Sequence, residues 1–209
     1  MCGRYMLYTE KEYLLHMFDL SHHDFLYEPR YNIAPGQDIL CVVASSKGNR
    51  AGYIKWGFVP EWAGEGWSGK PLINARIETA AEKASFKHSF SQRRCLIPAN
   101  GFYEWRNENG HKQPYRFTAT DQQIVAFAGI WSKSNKDNHA TCAILTKESD
   151  SFMQSYHHRM PLVLSAKQGQ DWLKGWNFED FPDPRLETAA VSSAVNNTRN
   201  DTVECIQTL

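Results

Sequence analysis

The sequence lacks an apolar run long enough to cross a membrane. Its longest apolar stretches, DILCVVA and QIVAFAGIW, cover positions 38–44 and 123–131, whereas a membrane-spanning helix needs about 20 such residues. The first residues also lack the basic segment and following apolar segment of a secretion signal. We therefore expect a cytoplasmic protein without a membrane partner.

The sequence also lacks a C-x-x-C motif. Its five cysteines are dispersed and odd in number, which argues against a disulfide framework and against a zinc site. Cys41, Cys142 and Cys205 lie in apolar or strand-like stretches, which predicts buried small side chains. The neighbouring His157 and His158 have no carboxylate or cysteine at ligand spacing. We predict no metal and no other cofactor.

Net charge is absent too, since 23 basic residues balance 23 acidic ones. A nucleic-acid partner would therefore need a local basic patch. Hydrophobic residues make up 42% of the chain, enough for a packed core, and no Pro/Gly/Ser-rich linker divides it. These features predict one domain over residues 1–209, and we expect a monomer.

Strand patterns outnumber helix patterns along the chain. Capping boxes predict three helices, which start at Thr9, Thr79 and Ser165. The Asn109-Gly110 pair between two strand-like runs predicts a hairpin, and a strand is also predicted over 203–207. Strands joined mainly as hairpins favour an α+β fold with a mostly antiparallel, barrel-like β-sheet core and a few flanking helices.

The chain begins MCGRY, and this start has a chemical consequence. Met1 is normally trimmed when the next residue is small, so we expect Cys2 to become the N-terminus. It would then carry an α-amine and a thiol on adjacent carbons. The α-amine has a pKa near ~8, against about 10.4 for lysine, so it is a good nucleophile towards an aldehyde at neutral pH.

Several loops and one strand contain candidate site residues. In Phe102-Tyr103-Glu104-Trp105, Glu104 is either a desolvated carboxyl with a raised pKa, suited to proton transfer, or a surface residue of a hairpin. Arg159 either pairs with a phosphate or is a solvated charge. Trp67, in a glycine-rich loop, is either a folded-back anchor or an exposed stacking group.

Six motifs in order resemble those of the SRAP (SOS-response-associated peptidase) family, whose members are abasic-site processing proteins. The resemblance runs from Cys2 to the tail at 194–207. The motifs are Met1-Cys2-Gly3-Arg4-Tyr5, Arg30-Tyr31-Asn32-Ile33-Ala34-Pro35-Gly36, Trp56-Gly57-Phe58-Val59-Pro60, Asn74-Ala75-Arg76-Ile77-Glu78-Thr79, Gly101-Phe102-Tyr103-Glu104-Trp105 and His157-x-Arg159-Met160-Pro161.

The resemblance implies a function on DNA. Such proteins recognise an abasic site in single-stranded DNA, often at a junction with duplex, and link to it covalently through the N-terminal cysteine. The link shields the lesion from strand cleavage during the DNA damage response. The protein would then be associated with the nucleoid while bound to DNA. An associated lyase activity and a self-processing peptidase activity are further implications.

The resemblance also assigns residue roles. Cys2 would be the nucleophile, Asn74 would orient the opened sugar, Glu104 would move protons and His157 would assist at the same carbon. The residues expected to contact DNA are Arg4, Arg76 and Arg159 at phosphates, Asn32 and Pro35 along the strand, Thr146 through its backbone, and Trp67 as a stacking wedge. We expect the three arginines to lie on one face around Cys2. One departure is Ser85, where the family can carry a basic residue before Phe86.

Three other functions are compatible with parts of the sequence. A glutamine amidotransferase with an N-terminal nucleophile also begins Met-Cys-Gly, but its arginine–glycine loop is missing here and Asn100-Gly101 only partly resembles its oxyanion motif. A peptidase acting on other proteins has no Ser/His/Asp constellation to support it. A noncovalent reader of modified DNA bases would not need Cys2.

Overall fold

The computed structural model describes residues 2–20, 24–63, 69–133, 139–175 and 182–209. The predicted stacking residue Trp67 lies outside the described residues. The helices are α1 (Lys11–Met17), α2 (Ile77–Ala80), α3 (Lys87–Gln92) and α4 (Ala166–Leu173), and short 3-10 helices cover Met153–Ser155, Ser193–Asn196 and Val203–Ile206.

Two sheets contain the strands. Strands β1 to β13 are, in chain order, Tyr5–Leu7, Arg30–Ile33, Asp38–Ser45, Gly48–Trp56, Asn74–Arg76, Arg94–Ala99, Gly101–Glu108, His111–Ala119, Val125–Lys133, Ala140–Glu148, Arg159–Pro161, Val163–Leu164 and Leu186–Ala190. The first sheet has the order β13-β8-β7-β1-β2. Its pairings are all antiparallel.

The second sheet has the order β11-β10-β4-β3-β6-β9-β12. Strand β9 also pairs with β10, so the strands from β10 to β9 form a closed ring. Strands β4 and β5 pair with β10 in parallel, and the remaining pairs are antiparallel. The predicted α+β class with a mostly antiparallel, barrel-like sheet is confirmed.

The predicted hairpin lies between β7 and β8. Asn109 and Gly110 have positive φ angles of 51° and 86°, which is the backbone that a two-residue hairpin turn requires. Glu108 and His111 pair on either side of the turn. This register runs back along β7 and places Glu104 opposite Tyr115.

The helix predictions are only partly confirmed. Ser165 and Gln168 form the predicted capping box at α4. At α1 the N-cap is Glu10 and makes no side-chain cap bond, because the Thr9 hydroxyl instead accepts from Asn100 Nδ2 at 2.6 Å. Thr79 lies inside α2 rather than at a cap. The strand predicted over 203–207 is wrong, since these residues form mainly a 3-10 helix.

The core lies on both faces of the first sheet. Phe102 packs in the main core between the sheets, whereas Tyr103 packs with Val191 and Val195 of the C-terminal segment. The alternation predicted for this strand is therefore observed. Cys41, Cys142 and Cys205 are buried, as predicted. No helix among the described ranges is both long enough and apolar enough to span a bilayer.

Candidate active site

Cys2 lies at the entrance to β1, in the interior between the two sheets. Its exposed fraction is 0%. Its carbonyl oxygen accepts a hydrogen bond from Asn74 Nδ2 at 3.0 Å. Asn74 is the first residue of β5, so the parallel pairing of β5 with β10 determines where this amide lies.

The other end of the Asn74 amide is available. Asn74 Oδ1 is buried and has no hydrogen-bond partner among the described residues. A buried acceptor without a partner costs free energy in the folded protein, so a ligand that donates to it gains the corresponding stabilisation. This oxygen therefore offers a ligand hydroxyl a hydrogen bond beside Cys2.

Glu104 is a buried carboxyl in the same region. It is 5% exposed and lies on the face of β7 that Phe102 also occupies, because residues two apart in a strand share a face. The alternative of a solvent-facing glutamate is therefore excluded. Burial raises the pKa of the Glu104 carboxyl, since desolvation disfavours its charged form.

Cys2 and Glu104 influence each other electrostatically. Burial raises the pKa of the Cys2 thiol well above its usual value, and the Glu104 carboxylate raises this pKa further. The thiol is therefore neutral at pH 7 rather than a preformed thiolate. Chemistry that begins with attack by a thiolate is disfavoured here, whereas attack by an amine does not need the thiolate.

His157 has a hydrogen-bond partner in either tautomer. Its Nδ1 lies 2.9 Å from the amide nitrogen of Arg159 and 3.1 Å from the carbonyl oxygen of the same residue. Nδ1 can therefore accept from the first or donate to the second. Burial lowers the pKa of the imidazole, which favours the neutral ring.

The loop before His157 packs against the β7–β8 hairpin. The rings of Tyr156 and Tyr115 are 5.0 Å apart, and Tyr115 pairs with Glu104 across the hairpin. The Arg106 guanidinium lies over both tyrosines, at 4.8 Å and 5.0 Å from the ring centres. This packing connects the His157 loop with the strand that carries Glu104.

Arg159 is an interior residue and forms an ion pair. Its two terminal nitrogens donate to the Glu78 carboxylate at 2.8 Å and 2.9 Å, and Nη2 also donates to Thr146 O at 2.7 Å. Arg159 is 6% exposed and Thr146 is 1% exposed. The solvated-charge alternative is excluded for Arg159. Thr146 is buried, and its carbonyl oxygen supports the arginine.

Arg76 lies beside this ion pair but is exposed. It ends β5 and is opposite Thr146 in the β5–β10 pairing. A cavity of about 440 Å³ is lined by Arg76 and Arg159, together with Glu148, Ser149, Gln154 and His158. Two of the three predicted phosphate-binding arginines thus share one cavity. One of them, Arg76, is two residues after Asn74 in strand β5.

Arg4 is held by a different part of the chain. Its Nη1 donates to Asn32 Oδ1 at 2.7 Å and to Val195 O at 2.6 Å. Asn32 is completely buried, and its Oδ1 orients Arg4. Pro35 is exposed, in the turn that Gly36 completes with a φ of +86°.

The sequence reasoning did not identify Glu78 as a functional residue. It is the ion-pair partner of Arg159 but lies 81 positions away, and no local pattern indicates such a pair.

We expect Glu78→Ala to lower the free energy of unfolding by about 1–2 kcal/mol, because it leaves a buried guanidinium without its carboxylate. Urea denaturation measures this, and Glu82→Ala at an exposed position nearby is the control. Equal stability of the two variants would contradict the prediction.

Residues 1–198 match the family model of the SOS response associated peptidase (SRAP) family, and the chain belongs to this family. The abasic site processing protein YoqW of Bacillus subtilis is 34% identical to it, with 99% of each chain covered. The abasic site processing protein YedK of Escherichia coli is 32% identical, also with 99% of each covered. The abasic site processing protein HMCES of Xenopus tropicalis is 29% identical over 86% of this chain and 66% of that protein.

Solved structures show the same fold. A protein from Bacteroides thetaiotaomicron superposes with a TM-score of 0.87 at 20% identity, with 100% of both chains covered. A protein from Bordetella bronchiseptica gives a TM-score of 0.77 at 24% identity, covering 91% of this chain and 100% of that one.

Proposed function

We propose that this protein processes abasic sites in DNA and does so by linking Cys2 covalently to the lesion sugar. The observation that carries the proposal is the arrangement at Cys2, where the Asn74 amide donates to the Cys2 carbonyl oxygen and the buried Glu104 carboxyl raises the pKa of the Cys2 thiol. The names of the relatives, which describe abasic site processing, support the DNA lesion as the substrate.

The chemistry requires that Met1 is removed. With Met1 attached, the Cys2 nitrogen is a peptide amide and is not nucleophilic. Once freed, the amine attacks the C1′ aldehyde of the ring-opened deoxyribose and forms a carbinolamine. Loss of one water gives the imine. The Cys2 S–H then adds across the C=N bond: sulfur bonds to C1′, the proton goes to nitrogen, and a five-membered thiazolidine closes.

The buried groups suit the proton transfers of this sequence. Glu104, with its raised pKa, is protonated to a higher pH than an exposed glutamate and can donate to the departing hydroxyl. Asn74 Oδ1 can accept from a hydroxyl of the opened sugar. His157 can pass a proton in either direction, because Nδ1 has a backbone partner in each tautomer. Addition of the thiol removes the imine that would otherwise promote β-elimination.

The charge distribution fits single-stranded DNA as the partner. The chain has no net charge, but Arg76 and Arg159 share a cavity near Asn74, and Arg4 follows Cys2 by two residues. Covalent capture supplements such phosphate contacts, which depend strongly on salt. We further propose that the protein acts as a monomer, and that its peptidase activity is limited to removal of Met1.

The test mixes the purified protein with single-stranded DNA that carries one abasic site. The processed protein should give a conjugate that survives SDS. A variant with a non-cleavable extension before Cys2 should give none, although its other residues are unchanged. An extended variant that forms the conjugate with undiminished yield would contradict the role of the α-amine. Hydrolysis of glutamine without DNA would instead favour the amidotransferase.

A further inference from the structure

The C-terminal segment 193–201 lies over β2 and is anchored there by one carboxylate. Asp201 Oδ1 accepts from the backbone nitrogens of Tyr31 and Asn32, at 2.6 Å and 2.8 Å. Its Oδ2 forms an ion pair with Arg30 Nε. Asp201 is three residues beyond the part of the chain that matches the family model.

Asn32 is the second component of this anchor. Its Nδ2 donates to the carbonyl oxygens of Val195, Asn197 and Asn200, at 3.2 Å, 3.1 Å and 2.6 Å. Because the amide group is completely buried, these three acceptors determine which way it points. The orientation leaves Oδ1 directed at Arg4 Nη1.

Arg4 is consequently held through one nitrogen. Nη1 has two acceptors, Asn32 Oδ1 and Val195 O, whereas Nη2 has no protein hydrogen bond among the described residues. The guanidinium also lies 5.6 Å from the ring of Trp105. That ring is itself fixed by Asn196, which accepts from Trp105 Nε1 at 2.7 Å. The C-terminal segment thus contacts Arg4 directly through Val195 O and holds its two other neighbours, Asn32 and Trp105.

We propose that Asp201 is a positioning residue that acts through Asn32 on Arg4, so that the C-terminal segment sets the affinity for the DNA strand beside the lesion. This proposal rests on the proposed function, since it takes DNA as the ligand of Arg4. An arginine side chain without fixed contacts has many rotamers, and ordering it during binding costs entropy. Fixing the Arg4 side chain before the DNA binds removes this cost of association. Asp201 itself does not touch the DNA.

The test separates binding from reaction. In Asp201→Asn, Oδ1 can still accept from the backbone nitrogens of Tyr31 and Asn32. An amide N–H then faces Arg30 Nε, so two donors oppose each other and the anchor is weakened. The dissociation constant for single-stranded DNA with a tetrahydrofuran abasic analogue, which has no aldehyde, should rise about tenfold. The conjugation rate at saturating abasic DNA should stay within about twofold, because the groups at Cys2 are unchanged. Asp201→Glu, which keeps the charge, should recover part of the affinity.

Two comparisons show whether the effect passes through Arg4. Glu204→Gln makes the same charge change at an exposed position of the same tail and should bind like the wild type. In an Arg4→Gln background, Asp201→Asn should cause no further loss. Wild-type affinity in Asp201→Asn, or a full additional loss in the Arg4→Gln background, would overturn the proposal.

A measurement without DNA keeps this proposal separate from the proposed function. Solvent exchange of the Asn32 side-chain amide protons, followed by NMR, should speed up at least about tenfold in Asp201→Asn, because the anchored segment opens more often. Unchanged exchange would overturn the positioning role even if the wild type links to DNA. A wild type that forms no conjugate, combined with faster exchange in the variant, would overturn the proposed function alone.

Discussion

Cys2→Ala should reduce the SDS-stable conjugate with abasic DNA to background, a loss of at least roughly 100-fold in yield at fixed time. The variant still carries an α-amine, because Met1 before alanine is also trimmed. An imine should therefore form and be trapped by borohydride. Without the thiol, it cannot close the ring. The expected result is thus a trappable but not a stable link.

The matched control for this substitution is Cys95→Ala. Cys95 is as completely buried as Cys2, so both variants lose the same sulfur atom from the interior and should lose similar stability, on the order of 1–2 kcal/mol. Cys95→Ala should nevertheless form the stable conjugate. If Cys2→Ala formed it equally well, the thiol of Cys2 would not be needed for the stable link, and a covalent link through an amine alone would replace the proposed thiazolidine.

Glu104→Gln should slow conjugation by roughly 100-fold, the lower range of general acid–base contributions. Glutamine has nearly the same shape but cannot give a proton to the departing hydroxyl. The rate constant is measured at saturating DNA, so that a change in affinity does not enter. A variant that reacts at the wild-type rate would show that another group supplies the proton.

The pH dependence provides a second test of Glu104. The wild-type rate should rise as the α-amine loses its proton and fall again as Glu104 loses its own, above the pKa that burial has raised. In Glu104→Gln the fall at high pH should disappear. A fall that persists unchanged would assign it to a different group.

The stability of Glu104→Gln should move in the opposite direction from its activity. Because the folded state raises the pKa of this carboxyl, it binds the proton more tightly than the unfolded chain does. Its contribution to stability is therefore favourable at low pH and is lost as the pH rises through the folded-state pKa. At neutral pH the glutamine variant should be at least as stable as the wild type.

The parts of the fold that follow from short-range patterns were predictable. The Asn109-Gly110 turn follows from backbone sterics, and the alternation along β7 places Glu104 inward with Phe102. The α1 cap was not predictable in this way. Thr9 has the right spacing for a capping box, but Asn100, 91 residues later, binds its hydroxyl instead.

The candidate site was predictable where one residue carries the chemistry. Cys2 follows from its position after Met1, and the raised pKa of Glu104 follows from its aromatic neighbours. The supporting contacts were not predictable, because each joins residues far apart in the chain. Glu78 reaches Arg159 over 81 positions, and Asp201 reaches Arg30 over 171. For the same reason the sequence did not indicate that the C-terminal segment encloses Asn32.

The burial of Cys2 has a consequence for the order of events during synthesis. Strand β1 pairs with β7, and Tyr5 and its partner Phe102 are 97 positions apart. At about 5–20 residues per second, the ribosome needs roughly 5–20 seconds to make the chain between them. During that interval the first strand has no β7 to pair with, and its end is open to an aminopeptidase. Trimming of Met1 is therefore expected on the nascent chain, before the completed fold encloses Cys2.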